Sequence, residues 1–595
     1  MTRTPLRPLA RILEARHKGE NPDAIERENL RIRHEQMRDR SRVRAESRLL
    51  VLGLCFFCAF GTIGARMGVM AATEPTEPRA AATGASIIAS RADIVDRRGR
   101  LLATNIETHS LYAHPHQMVE PVRAAKELAK IFPDLKEERL LKDFTGTRKF
   151  LWVKKKISPE QLQAVHDIGE PGLLFGPREM RLYPNGSLAA HIMGGASFGR
   201  EGVHSAEVVG TAGLEKYFDK ELRDPAREGA PLELSIDVTV QAAMERVLDA
   251  GMRLMNAKGA AAVVMDVHTG EVIAMASLPD FDPNDRPRPP TEGSPGDSPL
   301  FNRAVQGVYE LGSTFKIFAA AQAMELGLVN PGTIIDTRPP FKVGGFRIGE
   351  FDGHNYGEIS VEQVIVKSSN RGTGKIALAI GRTRQQEFLK ALGLTVPTPV
   401  EIVEAKGGQP LLPARWTDLS TVTISYGHGI STSPLHLAAA YAIIANGGRR
   451  IAPTLLKQSG PHLGDRVMSE QVSAAARSML RKVVTEGTAS FGEVPGYHVG
   501  GKTGTADKPK ERGGGYYKDK VIATFSGIFP AENPRYSVVV TLDEPVETSG
   551  KKPRRTAGWT AVPVAAEMIG RIAPLLGLRP QYDLREVTEA TLVRQ

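Results

Sequence analysis

Three short motifs between residues 231 and 578 hold side chains whose types and spacing suit acyl transfer. The first, Ser313-Thr314-Phe315-Lys316, opens an apolar, alanine-rich run (STFKIFAAAQAMEL) that closes at Gly327, with Pro331 soon after. Those are start and stop signals of a helix. Residues i and i+3 share a helix face, so Lys316 is expected within reach of the Ser313 hydroxyl. Serine attacks a carbonyl poorly until a base takes its proton. A lysine can be that base once burial and a second nearby cation lower its pKa. The second motif, Ser368-Ser369-Asn370, follows SVEQVIVK, which begins with a capping-box pattern from Ser360 to Gln363, so it falls where a short helix ends. Ser368 could relay a proton, and Asn370 could orient the lysine and hold a substrate amide. Alone, the triplet reads equally well as a helix terminator.

The third motif is Lys502-Thr503-Gly504-Thr505, within YHVGGKTGTA. Small residues on both sides suit an extended strand that another backbone approaches closely. Lys502 supplies the second cation. Thr503 and Thr505 could bind a carboxylate across Gly504, and the Thr505 N–H could polarise a carbonyl. Strand alternation puts Lys502 and Thr503 on opposite faces, so the edge of the strand is expected to line the cleft. The order matters more than any one motif: 55 residues separate Ser313 from Ser368, and 134 separate Ser368 from Lys502. A second S-x-x-K match, Ser549 to Lys552, lies in the polar stretch ETSGKKPRR and reads as solvated loop. No H-E-x-x-H, G-x-S-x-G or Walker A pattern is present, and His114-Pro115-His116 is too isolated for a metal site.

The elements that must position these residues follow from charge and hydropathy. The 595-residue chain carries a formal charge of +10, but residues 1–48 hold 13 Lys/Arg against 8 Asp/Glu, whereas residues 73–595 hold 63 against 59. The bulk is nearly neutral, which argues against nucleic acid as a partner. From Leu49 to Ala65 no residue is charged; Arg66 interrupts and an apolar stretch continues to Ala72. A spanning helix needs about 20 apolar residues, and an Arg near one end can snorkel to the interface. The flank Arg40, Arg42, Arg44 and Arg48 puts the N-terminus in the cytoplasm and everything after residue 72 outside. A leader of 48 residues is too long for a cleavable signal peptide. Both cysteines, Cys55 and Cys58, fall inside the span and read as membrane packing; none is left outside for a disulfide.

Residues 1–48 read as a basic tail or frayed helix, 49–72 as a transmembrane helix and 73–85 as a Pro/Ala/Thr linker. A mixed α/β region covers 86–230. It has a strand and turn at ADIVDRRGRLLA, a helix at EPVRAAKELAKIF and a proline-broken stretch at Arg181–Pro184. The catalytic region covers 231–578, with two strands around His268-Thr269-Gly270, a proline-rich loop at 279–299, and late strands VIATFSGIF and RYSVVVTLDEP. Residues 579–595 form a tail. Hairpin strands mixed with helices predict an α+β fold, a sheet covered by helices.

The ordered trio S-x-x-K, S-x-N, K-T-G is that of penicillin-binding proteins and serine β-lactamases. The chain resembles a class B penicillin-binding protein over nearly everything after residue 48. Arg91–Gly99, Arg181–Pro184 with His191 and Gly194, and Gly213–Lys216 look like pedestal motifs of that family. Leu234–Gln241, Thr269–Glu271, Asn302–Lys316 and Asp543–Pro545 look like transpeptidase motifs. SYGHGISTSPLHLAAAYAIIANGG and AVPVAAEMIGRIAPLLGLRP resemble the division-specific FtsI type, with the elongation type as the near alternative. Leu311 stands where a proline is usual, and Arg371 where an aliphatic residue is usual.

The resemblance implies an anchored pedestal (dimerisation-type) domain followed by a β-lactamase-like antiparallel sheet domain. It implies a peptidoglycan D,D-transpeptidase in the inner membrane, periplasmic and at the septum. Ser313 would attack the donor stem peptide, with Lys316 as base and Ser368 and Lys502 passing a proton to the leaving D-alanine. Asn370 would assist, Thr503 and Thr505 would hold the carboxylate, and the Ser313 and Thr505 N–H groups would form the oxyanion hole. It implies no metal or organic cofactor. Its partners would be stem peptides on lipid-linked or nascent strands, β-lactam antibiotics, and an FtsW-type glycosyltransferase with other divisome proteins. A β-lactamase shares the trio but hydrolyses its acyl-enzyme; the anchor and the long preceding region argue against it. A penicillin sensor would need a larger cytoplasmic output than 48 residues. A scaffold would not need the intact trio. A bifunctional class A enzyme would need more than residues 86–230 ahead of the transpeptidase.

Overall fold

A computed structural model describes residues 7–19, 21–72, 91–201, 206–338, 340–510 and 514–581. The expected linker at 73–85 lies outside the described residues. The chain divides into two compact units. One holds the N-terminal helices with Tyr112–Val153 and Ala164–Leu174, and the other holds most of the remainder.

In the first unit, α1 (Arg7–Lys18) precedes α2, a continuous helix from Pro22 to Ala72. Of the stretch read as a tail or frayed helix, residues 7–18 and 22–48 are therefore helical, and the apolar segment is the end of a longer rod. Within α2, Arg48–Gly68 is long and apolar enough to cross a membrane. Its 21 residues rise about 31 Å, the thickness of a bilayer core. Cys55 and Cys58 are exposed on it as free thiols. The expected helix EPVRAAKELAKIF is found at Pro121–Ile131, with proline at its first turn.

The second unit begins at the Arg91–Gly99 motif, where Ile94–Val95 pairs antiparallel with Leu101–Ala103 and parallel with Leu232–Glu233. The motif residues around it meet in one buried charge cluster. The Arg91 guanidinium donates to Glu215 at 2.6 Å and to Asp219 at 2.7 Å. Arg181 donates to the other Glu215 oxygen at 2.6 Å, and the Tyr183 hydroxyl adds a 3.3 Å bond to it. Buried charges are tolerable only when paired and hydrogen-bonded, which is why these distant motif residues come together. Asp96 accepts from Arg98 N and Arg100 N at 2.9 Å and from Val238 N at 3.2 Å, joining this motif to the start of α3 (Val238–Leu254).

The region that holds the three motifs is built on a five-stranded antiparallel sheet and also holds two small two-stranded sheets. The strands of the large sheet are β1 (Gly259–Asp266), β2 (Val272–Leu278), β3 (Gly500–Pro509), β4 (Tyr516–Phe529) and β5 (Tyr536–Asp543), in the order β3-β4-β5-β1-β2. The hairpin expected at His268–Gly270 joins β1 to β2, and the K-T-G strand is an edge strand. Every residue of β1, β2 and β5 is buried. Successive strand residues point to opposite faces, so both faces are covered. Helices α4 (Lys316–Glu325), α5 (Val361–Val366) and α6 (Asn370–Ile380) pack on one another, and α4 and α5 also on α8 (Glu470–Thr485); α3, α7 (Pro434–Ala445), α8 and α9 (Ala561–Leu575) pack on the sheet. All twelve residues of α7 are buried, as a sequence apolar on every side requires; its one interruption, His436, is hydrogen-bonded to Val396 O at 2.9 Å.

Candidate active site

The Ser313 segment is a single 3-10 turn, Gly312–Phe315, that runs into α4. The sequence predicts one helix from Ser313; the tighter first turn leaves Ser313 half-buried while Thr314, Phe315 and Lys316 are buried. Two contacts hold the turn. Thr314 Oγ1 donates to Leu311 O at 2.9 Å, and Tyr441 OH of α7 donates to Thr314 O at 2.8 Å. The turn lies directly on the K-T-G strand. Gly312 has φ +57°, and a Cβ there would sit 2.8 Å from Thr505 O. A Cβ on Gly504 would run into Leu311 O and stand 2.8 Å from Thr314 Cγ2. Gly504→Ala must therefore push the two segments apart. Overpacking of this kind costs about 1–3 kcal/mol. We expect a folded protein whose penicillin acylation rate falls at least tenfold, read by time-resolved labelling; an unchanged rate would contradict the contact.

The Ser-Ser-Asn triplet forms the junction between α5 and α6. The Ser360 side chain caps the start of α5, accepting from Gln363 N at 3.2 Å. Ser368 then takes a left-handed φ of +61°, Ser369 caps Gly372 N at 2.9 Å, and Asn370 is the first residue of α6. The triplet ends one helix and starts the next.

The two lysines converge on this junction. Lys316 Nζ donates to Ser368 O and, at 3.0 Å, to Ser368 Oγ. Lys502 Nζ donates to the same Oγ at 3.0 Å and to Thr503 O at 3.2 Å. Both ammonium positions are buried, with Lys316 at 1 % and Lys502 at 0 % exposure. The i, i+3 spacing predicts a Lys316–Ser313 contact. In the structure Lys316 instead points at Ser368, and Ser313 Oγ has no hydrogen-bond partner among the described residues. The Ser368 carbonyl and hydroxyl satisfy the lysine more fully than one serine hydroxyl could. Catalytic hydrogen bonds commonly tighten only when substrate is present.

Burial lowers the Lys502 ammonium to about 7. Lys316 is held well below the ordinary lysine range, first by burial and then by the positive charge of Lys502; Glu350 opposes this. The arrangement thus provides a half-accessible hydroxyl, a buried amine favoured in its neutral form, and a hydroxyl that links it to a second amine. On the far side of the strand's end, Thr503 Oγ1 meets Thr488 Oγ1 at 2.7 Å, and Thr505 Oγ1 accepts from Ala557 N at 2.9 Å. Lys502 and Thr503 leave opposite faces, yet the lysine chain curls back far enough to reach both oxygens of Thr503.

Two residues outside the motifs matter here and carry no local sequence signal. Thr488 lies in the turn after α8. Glu350 lies in an irregular segment, and its carboxylate accepts from Ser369 Oγ at 2.5 Å and Asn370 N at 2.7 Å. The unusual Arg371 turns its guanidinium to the carbonyls of Thr337 and Arg338 at 2.9 and 3.0 Å. Leu311 is buried beneath the turn. The second S-x-x-K match has both lysines exposed.

Comparison with known proteins points the same way. Residues 260–562 match the penicillin-binding protein transpeptidase domain, and residues 86–227 match the penicillin-binding protein dimerisation domain. The chain is 34 % identical over 570 residues to the probable peptidoglycan D,D-transpeptidase FtsI of Caulobacter vibrioides, covering 93 % of each. It is 31 % identical to the probable peptidoglycan D,D-transpeptidase PenA of Neisseria meningitidis, over 83 % of this chain and 86 % of that one. Among solved structures it resembles penicillin-binding protein 3 of Mycobacterium tuberculosis in complex with aztreonam. That match has a TM-score of 0.62 and 27 % identity and covers 83 % of this chain and 97 % of the other.

Proposed function

The chain belongs to the class B penicillin-binding proteins and is a peptidoglycan D,D-transpeptidase; from this premise we propose that Ser313 is its acylated nucleophile and septal cross-linking its task. The observation that carries the proposal is the convergence of Lys316 and Lys502 on one hydroxyl, Ser368 Oγ, beside a serine turn packed on the K-T-G strand.

Neutral Lys316 takes the Ser313 proton as Oγ attacks the carbonyl between the two terminal D-alanines of a donor stem peptide. The oxyanion is held by the backbone N–H groups of Ser313 and Thr505; such donors are individually worth about 3 kcal/mol. The C–N bond then breaks, and the proton moves through Ser368 and Lys502 to the departing D-alanine nitrogen. Thr503 and Thr505 hold the donor's terminal carboxylate, Gly504 lets the strand lie against the serine turn, and Asn370 holds the donor's amide. An acceptor amine attacks the ester and gives up a proton to Lys316, which returns it to the departing Ser313 Oγ as the ester C–O bond breaks, leaving a cross-link and Ser313 restored. A β-lactam enters as the donor does and stays as an ester.

Residues 86–230 form the pedestal and 231–578 the transpeptidase domain. Helix α2 anchors the chain with its N-terminus in the cytoplasm, and the catalytic region is periplasmic. The relatives named above favour the division role, and with it an FtsW-type glycosyltransferase as the membrane partner. The test of the reaction supplies detergent-solubilised full-length protein with nascent uncross-linked glycan strands. One D-alanine released per cross-linked dimer is the expected outcome. D-alanine release without dimers would instead define a hydrolase. Localisation of a fluorescent fusion to the sidewall rather than the septum would overturn the division role.

A further inference from the structure

Glu350 lies between the small hairpin ending at Arg347 and the strand Glu358–Ser360, outside all three motifs. It is 9 % exposed and forms no ion pair among the described residues. A buried carboxylate in that state is costly unless other donors solvate it. Its donors are three consecutive residues of the catalytic junction: Ser369 Oγ at 2.5 Å and Arg371 N at 3.2 Å to Oε1, and Asn370 N at 2.7 Å to Oε2. Asn370 and Arg371 open α6, so their N–H groups are among those a helix start leaves without partners. Negative charge is favourable there. Asn370 Nδ2 also approaches Gly349 O at 3.4 Å.

The junction needs such a hold. Ser368 sits at φ +61°, in the left-handed region that strains a residue with a Cβ. Its Oγ must stay 3.0 Å from each of two lysine nitrogens carried by other elements. We propose that Glu350 is a positioning residue for acylation, its carboxylate fixing the Ser368–Asn370 junction against Lys316 and Lys502. The inference rests on the reading that Ser313 is acylated with Lys316 as base.

Glu350 also acts on Lys316 through space, because its charge favours the protonated amine while burial and Lys502 disfavour it. Of the charges on elements around α4, Lys482 pairs with Glu362 at 2.7 Å, Arg382 with Asp418 at 2.6 Å and Arg371 with two carbonyls, while Arg384, Glu387 and Lys390 are exposed. The Tyr356 hydroxyl is pushed up by burial and by Glu350, so it stays neutral. Removing the Glu350 charge therefore moves Lys316 toward its neutral form.

The experiment measures acylation by a fluorescent penicillin from pH 5 to 10, on full-length protein in detergent, for wild type, Glu350→Gln and Glu350→Asp. Thermal unfolding of each is recorded alongside. Glu350→Gln is expected to stay folded, to acylate about tenfold more slowly or worse, and to show its acid limb at lower pH than wild type. Glu350→Asp is expected to return the limb to its wild-type position. A Glu350→Gln rate and limb equal to wild type would overturn the inference. So would a slow variant whose limb does not move and whose thermal midpoint falls, since that is a purely structural role. A wild-type protein with no Ser313 adduct would overturn the underlying reading and this inference together. Wild-type acylation with an unaffected variant overturns this inference alone.

Discussion

Replacing Ser313 by alanine is expected to leave a folded protein that forms no covalent adduct with penicillin. Ser313 is half-buried, its Oγ has no hydrogen-bond partner among the described residues, and alanine suits a helix start. The substitution therefore removes no interaction the fold uses. What it removes is the attacking oxygen. Losing a nucleophile of this kind costs on the order of 10⁶ in turnover, with only binding and oxyanion stabilisation left. For a covalent inhibitor, residual binding leaves no mark on the mass. Mass spectrometry of the intact variant after exposure to a fluorescent penicillin checks this. A retained adduct would place the nucleophile elsewhere.

Lys316→Met has the second largest expected effect, and its sign is double. At pH 7 a lysine with the ordinary pKa is neutral about once in 2,500 molecules. Burial and Lys502 shift Lys316 toward the neutral form. Neutral is the proton-accepting state, so acylation is lost as pH falls through this lowered pKa and stays high above it. The plateau should therefore already be reached below the range in which free lysine titrates. Methionine cannot accept a proton, and losing a general base typically costs 10²–10⁴-fold. The same depression is a stability cost. An unfolded lysine binds its proton up to about pH 10.4 while the folded one releases it earlier, so folding is opposed below the unfolded pKa. Methionine fills a similar volume without that opposition. We expect acylation to fall at least a hundredfold while the thermal midpoint stays level or rises. A lower midpoint with intact acylation would show that Lys316 serves the fold rather than the chemistry.

Much of this site is readable along the chain because its parts are local patterns. The K-T-G strand shows itself through small residues: Gly504 is small because Leu311 O and the serine turn lie against it, and Gly501 because the Phe525 ring does. The α4 head shows itself through an apolar run closed by Gly327, whose φ is +65°. The hairpin around His268–Gly270 and the antiparallel sheet are legible for the same reason. What escapes is the set of contacts made only in three dimensions. Lys316 turns to Ser368 rather than Ser313, because two acceptors 52 residues away outbid one acceptor a single turn away. Glu350 is invisible in a loop with no periodicity. The basic N-terminal stretch mostly lacks an apolar stripe, so the sequence leaves it between a tail and a frayed helix; residues 22–48 are helical in continuity with the apolar segment.

The most direct test of the account is to follow the intact mass of the wild-type full-length protein over time after a short exposure to a fluorescent penicillin, with the adduct mapped by peptide mass. The account predicts one adduct, on Ser313, that persists long after free drug is removed. An adduct that forms and is hydrolysed with turnover would make this a β-lactamase, and an adduct on any other residue would contradict the assignment of the nucleophile.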